Sequence, residues 1–187
     1  MFDAPPAGEW VALDCETMGL DIRRDHIIAI SAVRIVGNGL LPSQRLELLV
    51  RTERALNTDS VRVHRPREQD VARGIAPADA MRPLLEFIGS RPLVGDYLEF
   101  DVAMVNREIR PLLGVGLSQQ KIEVSSNYHD FKNHQRPLHE RSGSIDLRFA
   151  TIMSEFVLRQ RDAHDALNDA VMAGLAFLKL RRLLSEP

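Results

Sequence analysis

The stretch Trp10–Thr17, reading W-V-A-L-D-C-E-T, limits what this chain can fold into more than any other segment. Its apolar residues run into two acids, which predicts a short buried strand. Side chains alternate along a strand, so Asp14 and Glu16 project to one face and Cys15 to the other. Because no Lys or Arg lies within the stretch, the two carboxylates repel each other unless a partner or a divalent cation compensates them.

A D-x-E pair alone also has a plainer interpretation, in which one carboxylate caps a turn and the other is solvated. Further acids favour a shared site. Asp101 opens a predicted helix directly after a predicted strand, and Asp169 lies early in the last predicted helix. Sites in open α/β sheets form where strands end and helices begin, so Asp101 is expected to meet the acidic strand. In isolation, Asp101 would serve equally well as a favourable acid in the first turn of a helix.

His164 stands five residues before Asp169. Five residues advance a helix by about 500°, which leaves the two side chains roughly 140° apart. We therefore expect Asp169 on the helix and His164 at its start, swinging in as a mobile base. The plainer alternative is a surface or capping histidine.

Together, these residues supply what two-metal phosphodiester hydrolysis requires, namely carboxylates that hold two divalent ions about 3.5–4 Å apart. A neutral imidazole near physiological pH takes the proton from the attacking water. Oxygen ligands without thiolate favour Mg²⁺ or Mn²⁺ and exclude structural zinc.

The pattern along the chain predicts three antiparallel strands, followed by strands that alternate with helices. The predicted strands are Trp10–Thr17, Ile27–Val36, Gln44–Val50, Pro92–Gly95 and Ile122–Val124, and the helices are Ala78–Ile88, Phe100–Leu113, Ile145–Leu158 and Leu167–Arg182. This order predicts an α/β fold with a mixed five-stranded sheet covered on both sides. A length of 187 residues fits one domain, 1–187.

Composition narrows the class of protein. A net charge of −2 gives no global basic field, which excludes nonspecific duplex binding through charge alone. The one cysteine, Cys15, excludes an internal disulfide and predicts a reducing, cytoplasmic location. Met1–Gly8 does not resemble a signal peptide, and the longest apolar run, Ala170–Leu178, is shorter than the ~20 residues of a membrane helix.

The polar segment Asn127–Ser144 carries histidines at every fifth position, His129, His134 and His139. This spacing matches neither a helix face nor a strand face. We therefore interpret the segment as a solvated loop and not as a metal site. Arg51–Asp70 is predicted to be irregular.

Three motifs resemble the DEDD exonuclease superfamily: D-C-E-T-M-G-L at Asp14–Leu20, V-G-x-x-x-x-F-D ending at Asp101, and H-D-A-L-N-D-A from His164. The His-x4-Asp form is similar to the histidine branch, which includes the proofreading epsilon subunits of bacterial DNA polymerase III. The sister branch carries Tyr four residues before the last Asp, where this chain has Asp165.

The resemblance implies an RNase H-like fold and the 3′→5′ removal of nucleoside monophosphates. Because a narrow carboxylate pocket must receive one terminal nucleotide, we expect single-stranded ends as the substrate, with DNA favoured. The resemblance also implies two divalent cations. Asp14, Glu16 and Asp169 would hold the catalytic ion, and Asp14 would bridge to the second. Asp101 would support the second ion directly or through water, and His164 would be the general base.

The same resemblance implies a substrate pocket. The backbone of Thr17 and Met18 would meet the terminal 3′-OH, and Leu20 would wedge between the last bases. His64 matches in position a histidine that lines this pocket. Phe100 would pack under the terminal sugar or belong to the core.

The chain departs from the family in three places. Met18 replaces a commoner Thr, and Asp96-Tyr97 stands where many relatives carry His-Asn. The chain also stops at Pro187 without a recognisable polymerase- or clamp-binding tail, which predicts a free-standing exonuclease.

Two alternatives remain open. An oligoribonuclease or ribonuclease T-like activity would act on RNA, and relatives of that kind are typically homodimers. The second alternative is a catalytically inactive domain that only binds nucleic acid. The intact acids and His164 argue against it. Nothing in the sequence separates DNA from RNA, since no residue identifiably reads a 2′-OH.

Overall fold

The computed structural model describes residues 4–52, 73–137, 143–159 and 165–185. Five strands and five helices lie within these ranges. The strands are β1 (Glu9–Thr17), β2 (Ile27–Val36), β3 (Gly39–Leu49), β4 (Leu93–Gly95) and β5 (Lys121–Glu123). The helices are α1 (Pro77–Ile88), α2 (Leu98–Leu113), α3 (Val124–Gln135), α4 (Phe149–Glu155) and α5 (Ala166–Ser185).

The strands form one mixed sheet in the order β3-β2-β1-β4-β5. The first three strands pair antiparallel, and β1–β4 and β4–β5 pair parallel. Gly37 turns the β2–β3 hairpin with φ +59°, a conformation that glycine adopts without a steric penalty. The predicted α/β architecture is therefore confirmed.

The central strand β1 divides the core into two layers. Val11, Leu13 and Cys15 point into a cluster built with α1 and α2. Ala12 points to the opposite side, into a cluster built with α3, α4 and α5. The alternation predicted for this strand thus places Cys15 in the core.

Helix α5 lies close to the sheet because small residues face it. Ala170 and Ala173 are buried there. A Cβ atom added at Gly174 would lie 2.6 Å from Leu40 Cδ1 and 3.4 Å from Ala12 Cβ. The absence of a side chain at this position lets the helix, with Asp169 in its first turn, approach the strands.

The loop predicted over Asn127–Ser144 is wrong for its first half, because α3 covers residues 124–135. Buried Val124, Tyr128 and Phe131 follow helical spacing and form an apolar stripe within a polar composition. His129 and His134 lie on the exposed part of this helix, where His134 Nδ1 is 2.7 Å from the carbonyl oxygen of Asp130. His139 lies outside the described residues.

Helix α4 is shorter than the predicted Ile145–Leu158 helix. The Asp146 carboxylate accepts hydrogen bonds from the backbone N–H and guanidinium of Arg148 and from the Thr151 hydroxyl. These bonds hold an extended entry to the helix, which begins at Phe149. Val157, with φ 54°, ends it.

Strand β3 begins earlier than predicted, at Gly39 instead of Gln44. Its pairing with β2 shifts register between Val33 and Arg34. This irregularity accommodates Pro42, which cannot donate to a regular ladder. Most of the Arg51–Asp70 segment, including His64, lies outside the described residues. Among the helices that are described, none combines the length and apolar character needed to cross a membrane.

Candidate active site

A cavity of about 410 Å³ opens at the end of β1, where the parallel strand β4 also ends. Its lining includes five acids and, among the described residues, no Lys or Arg. The lining consists of Asp14, Cys15, Glu16, Thr17, Leu20, Asp96, Tyr97, Phe100, Asp101, Phe149 and Asp169. The structure thus brings together all four acids singled out from the sequence.

Three of the acids form a tight cluster. Asp14, Glu16 and Asp169 each place one carboxylate oxygen within 4.8 Å of the others. Strand alternation puts Asp14 and Glu16 on the same face, and a register shift between Glu16 and Thr17 interrupts pairing with β2. Such irregularities re-aim side chains next to functional sites. Glu16 and Thr17 are consequently both buried, at 6% and 4% exposure.

Asp101 stands beside this cluster without belonging to it. It lies in the first turn of α2 and is 4% exposed. Its Oδ1 accepts a hydrogen bond from the backbone N–H of Cys15, 3.2 Å away. This carboxylate is therefore held at the back of the acidic strand, on the wall of the same cavity.

The clustered acids disfavour one another's ionised forms. Burial raises the pKa of Asp14 well above its ordinary value, and the charges of Asp101, Asp169, Glu16 and Asp96 raise it further. Burial also raises the pKa of Asp101, although the N–H of Cys15 opposes that shift. A divalent cation would remove this repulsion, and a donor set made only of carboxylate oxygens fits Mg²⁺ or Mn²⁺.

Helix α5 begins immediately after Asp165. The Oδ1 of Asp165 accepts a hydrogen bond from the backbone N–H of Asn168, 3.0 Å away, which is the geometry of a helix N-cap. The position that carries Tyr in the sister branch of the superfamily thus serves here to start the helix that presents Asp169. The preceding residue, His164, lies outside the described residues, as does His64.

Three of the predicted substrate-binding residues line the cavity: Thr17, Leu20 and Phe100. The Thr17 hydroxyl donates to the carbonyl oxygen of Gly19 at 2.8 Å and so shapes the turn that carries Leu20. Leu20 is 80% exposed, which leaves its side chain available to a ligand. Phe100 also packs against the core cluster of α1 and α2.

Met18 is placed differently. It does not line the cavity. Its backbone N–H donates to the carbonyl oxygen of His26 at 2.9 Å, and its side chain packs against Ile28. Its sulfur accepts a hydrogen bond from the Thr52 hydroxyl at 3.6 Å. Its predicted contact with the 3′-OH stays a prediction.

Asp96, Tyr97 and Phe149 line the cavity without having been assigned a role from the sequence. The position of Asp96 relative to the strands could have identified it from the sequence. Ala12 pairs with Val94 in the parallel β1–β4 ladder, and the same register two residues further on sets Asp96 beside Asp14. Burial, together with the charges of Glu123 and Asp169, raises the pKa of Asp96 to about 7. Phe149 carried no such signal, since the start of α4 was predicted four residues too early.

The comparisons with known proteins agree with this architecture. The family model of the RNase_T exonucleases matches residues 11–177. The DNA polymerase III PolC-type protein of Bacillus subtilis (strain 168) is 23% identical over 182 residues, which are 95% of this chain and 12% of the relative. The chain therefore spans about an eighth of the length of the curated relatives it matches.

Two solved structures share the fold. E. coli exonuclease I in complex with a dT13 oligonucleotide superposes with a TM-score of 0.74 and 13% identity, covering 94% of this chain and 41% of that one. Exonuclease X in complex with 5′ overhanging duplex DNA gives a TM-score of 0.71 and 16% identity, covering 95% and 94%. Since the family match extends from β1 into α5 and includes every acid of the cavity, this chain belongs to the RNase_T exonuclease family.

Proposed function

We propose that this chain is a metal-dependent 3′→5′ exonuclease that releases nucleoside 5′-monophosphates from single-stranded ends, with DNA favoured over RNA. The observation that carries the proposal is the convergence of acids from β1, α2 and α5 on one cavity. Membership in the RNase_T exonuclease family supports it independently of this geometry.

The carboxylates would hold two divalent cations, and Asp14 would contact both. Asp14, Glu16 and Asp169, whose oxygens already lie within 4.8 Å of one another, would hold the catalytic ion. Asp14 and Asp101 would support the second. When bound, divalent cations supply positive charge that stabilises the charge developing on the phosphate, and they lower the pKa of water. Since all the donors are oxygens, Mg²⁺ or Mn²⁺ is the proposed metal.

The remaining residues bind substrate and move a proton. Leu20 would separate the terminal base from the next one, and the backbone at Thr17 would hold the 3′-OH. His164 would accept a proton from the attacking water. The water oxygen then bonds to phosphorus and the bond between phosphorus and O3′ breaks, which releases a nucleoside 5′-monophosphate. The leaving O3′ takes a proton from solvent water and becomes the new 3′-OH of the shortened strand.

Single-stranded DNA is the favoured substrate for two reasons. A cavity of about 410 Å³ is at the small end of ligand sites and admits one nucleotide, which a paired end does not present. Among the solved structures with this fold, exonuclease I holds a dT13 oligonucleotide, which supports an unpaired DNA strand as the substrate.

The decisive experiment is the incubation of 5′-labelled DNA and RNA oligonucleotides of several lengths with Mg²⁺, Mn²⁺ or EDTA. We expect ladders that shorten from the 3′ end with either metal, none with EDTA, and faster shortening of DNA. Faster shortening of RNA would favour the oligoribonuclease alternative. Binding without shortening under every condition would indicate an idle domain and overturn the proposal.

The role of His164 has its own test. We expect His164→Ala to lower the rate by about 10²–10⁴-fold while metal binding, measured by calorimetry, is preserved. His134→Ala is the matched control, because His134 is exposed on α3 and does not line the cavity. Loss of metal binding in His164→Ala would identify the histidine as a ligand.

A further inference from the structure

The acidic cavity continues into two neighbouring grooves. A groove of about 760 Å³ shares Leu20, Tyr97 and Phe100 with the acidic cavity. A third groove, of about 560 Å³, shares Ile22 and Lys121 with the second. The three adjoin in this order, so a linear polymer whose end occupies the acidic cavity has a continuous surface to follow.

Tyr97 stands at the junction between the first two. Its side chain is 73% exposed, and its backbone has φ 57°, a left-handed conformation that residues with a Cβ atom rarely adopt. The Glu123 carboxylate holds this conformation by accepting hydrogen bonds from the backbone N–H groups of Tyr97 and Leu98, at 3.0 and 2.9 Å. The backbone is therefore fixed so that a large aromatic ring points outward.

The ring of Tyr97 has a firm support. It stacks on Phe100 with the ring centroids 6.2 Å apart and an interplanar angle of 29°. Phe100 in turn packs against the buried cluster of α1 and α2. One face of an exposed, pre-positioned aromatic ring is thereby left available, and such a face stacks with any nucleobase.

The third groove is basic, on a chain whose net charge is −2. Arg23, Arg110 and Lys121 are exposed there. Among the described residues, no hydrogen bond or ion pair engages their side chains. Arg107 also lines the groove, but its guanidinium donates to the carbonyl oxygens of Ile22 and Asp25. Glu99 is the one acid among the described lining residues.

We propose that the single strand leaves the acidic cavity over Tyr97, which stacks with a base upstream of the 3′ nucleotide, and enters the groove of Arg23, Arg110 and Lys121, which contact its phosphates. This inference rests on the proposed exonuclease function and adds to it a path for the rest of the strand. Stacking and phosphate contacts both tolerate any sequence, as an exonuclease requires.

Two substrates test the contribution of the path independently of that of the acidic cavity. Thymidine 5′-(p-nitrophenyl phosphate) offers one nucleotide and reaches only the cavity, whereas a dT8 oligonucleotide also occupies the grooves. Tyr97→Asn removes the ring and keeps a residue that tolerates the left-handed conformation. We expect its loss of kcat/KM on dT8 to exceed its loss on the ester by about tenfold. Tyr97→Phe should restore the wild-type ratio.

The basic groove is tested by the salt dependence of KM for dT8. Neutralising two phosphate contacts with Arg110→Gln and Lys121→Gln together should reduce the slope of log(1/KM) against log[salt] by about 1.4. Arg82→Gln is the matched control, since Arg82 is exposed, pairs with Glu86 and lines none of the three cavities. The control should leave the slope unchanged.

Equal losses of kcat/KM on both substrates in Tyr97→Asn, with an unchanged salt slope in the double variant, would overturn the path while leaving the exonuclease intact. If the wild-type protein hydrolyses neither substrate, the exonuclease proposal fails instead. Fluorescence anisotropy with labelled dT8 and rU8 then tests the path alone. If the double variant binds each probe as tightly as the wild type does, the path is overturned. If the double variant binds the probes more weakly than the wild type, the path is supported.

Discussion

The Oδ1 atom of Asp101 accepts a hydrogen bond from the backbone N–H of Cys15, 3.2 Å away, across 86 positions of sequence. Cys15 is the residue between the two acids of β1, so this bond fixes the start of α2 directly behind them. Asp101 therefore has two separable properties. Its oxygen holds the helix to the strand, and its charge contributes to the acidic cavity.

Substitutions at Asp101 should separate these properties. Asp101→Asn keeps an acceptor for the Cys15 N–H and removes the charge, so we expect a folded protein with about 10–100-fold lower activity. Asp101→Leu leaves a buried N–H unpaired and should lower the free energy of unfolding by about 1–3 kcal/mol. Urea unfolding in EDTA measures the difference. Equal stability of the two variants would contradict a structural role for this bond.

Divalent cations should stabilise the folded protein. Mg²⁺ or Mn²⁺ relieves the repulsion among Asp14, Glu16 and Asp169, and an ion that binds only the native state raises the melting temperature in a saturable way. Asp14→Asn should weaken this response and abolish hydrolysis. It should also raise the melting temperature in EDTA, because the asparagine does not carry the cost of burying an acid beside other acids.

Thermal unfolding over a metal titration measures both effects. Asp130→Asn serves as the control, because this acid is exposed on α3 away from the cavity lining. If the melting temperature of the wild-type protein does not change over the metal titration, an ion at this cluster is excluded.

The stability of the metal-free protein should fall as the pH rises from about 4 to about 7. The pKa of Asp96 is raised from 3.8 to about 7 in the folded state, so the folded chain holds a proton through this interval that the unfolded chain has released. Stability then decreases with increasing pH. Well below pH 4 both states are protonated, and the loss that Asp96 contributes ends once the pH has risen past about 7. Asp14 and Asp101, whose pKa values are also raised, add to the trend with the same sign.

Asp96→Asn should flatten part of this profile, which urea unfolding in EDTA from pH 4.5 to 8 would reveal. A profile identical to that of the wild type would mean that Asp96 ionises freely in the fold. Saturating Mg²⁺ should flatten the profile in the wild type as well.

Val157 offers a prediction independent of the active site. It ends α4 with φ 54°, its N–H donates to the carbonyl of Ser154, and the Leu158 N–H donates to the carbonyl of Met153. This is a helix C-terminus that normally carries glycine. Because Val157 is 90% exposed, Val157→Gly loses little packing and should stabilise the protein by about 1 kcal/mol.

Calorimetry should show a melting temperature higher by about 2–4 °C for Val157→Gly, with unchanged nuclease activity. Val157→Ala is the matched control, since it keeps the Cβ atom and should gain less. A lower melting temperature of the glycine variant would show that the valine side chain makes a stabilising contact.

Much of the site was accessible from sequence because its residues follow local rules. Asp14 and Glu16 end an apolar run, Asp101 follows a strand and opens a helix, and strand alternation places Cys15 in the core. The approach of Asp169 depends on tertiary packing, but its motif placed it in the same set. These four acids line one cavity as expected.

Other features escaped prediction for physical reasons. The α3 helix has an apolar stripe of only Val124, Tyr128 and Phe131, which a polar and His-rich composition concealed. In the sequence, Tyr97 is recognisable only as a departure from the His-Asn pair of many relatives. Its exposure and left-handed backbone arise from a carboxylate on β5, Glu123, more than twenty positions away, and no local pattern reports such a contact.

The close packing of α5 against the sheet has a consequence for the cation that the acidic cavity would bind. Gly174 lies about one and a half turns along the helix from Asp169, and a side chain there would meet Leu40, Ile35 and Ala12. The ends of the Leu40 and Ile35 side chains can rotate away, but the Cβ atom of Ala12 cannot. A residue bulkier than alanine at this position would therefore lift the helix. That movement would carry Asp169 away from Asp14 and Glu16 and widen the oxygen cage. We therefore expect discrimination between a small cation such as Mg²⁺ and a larger one such as Ca²⁺ to depend in part on a residue without a side chain.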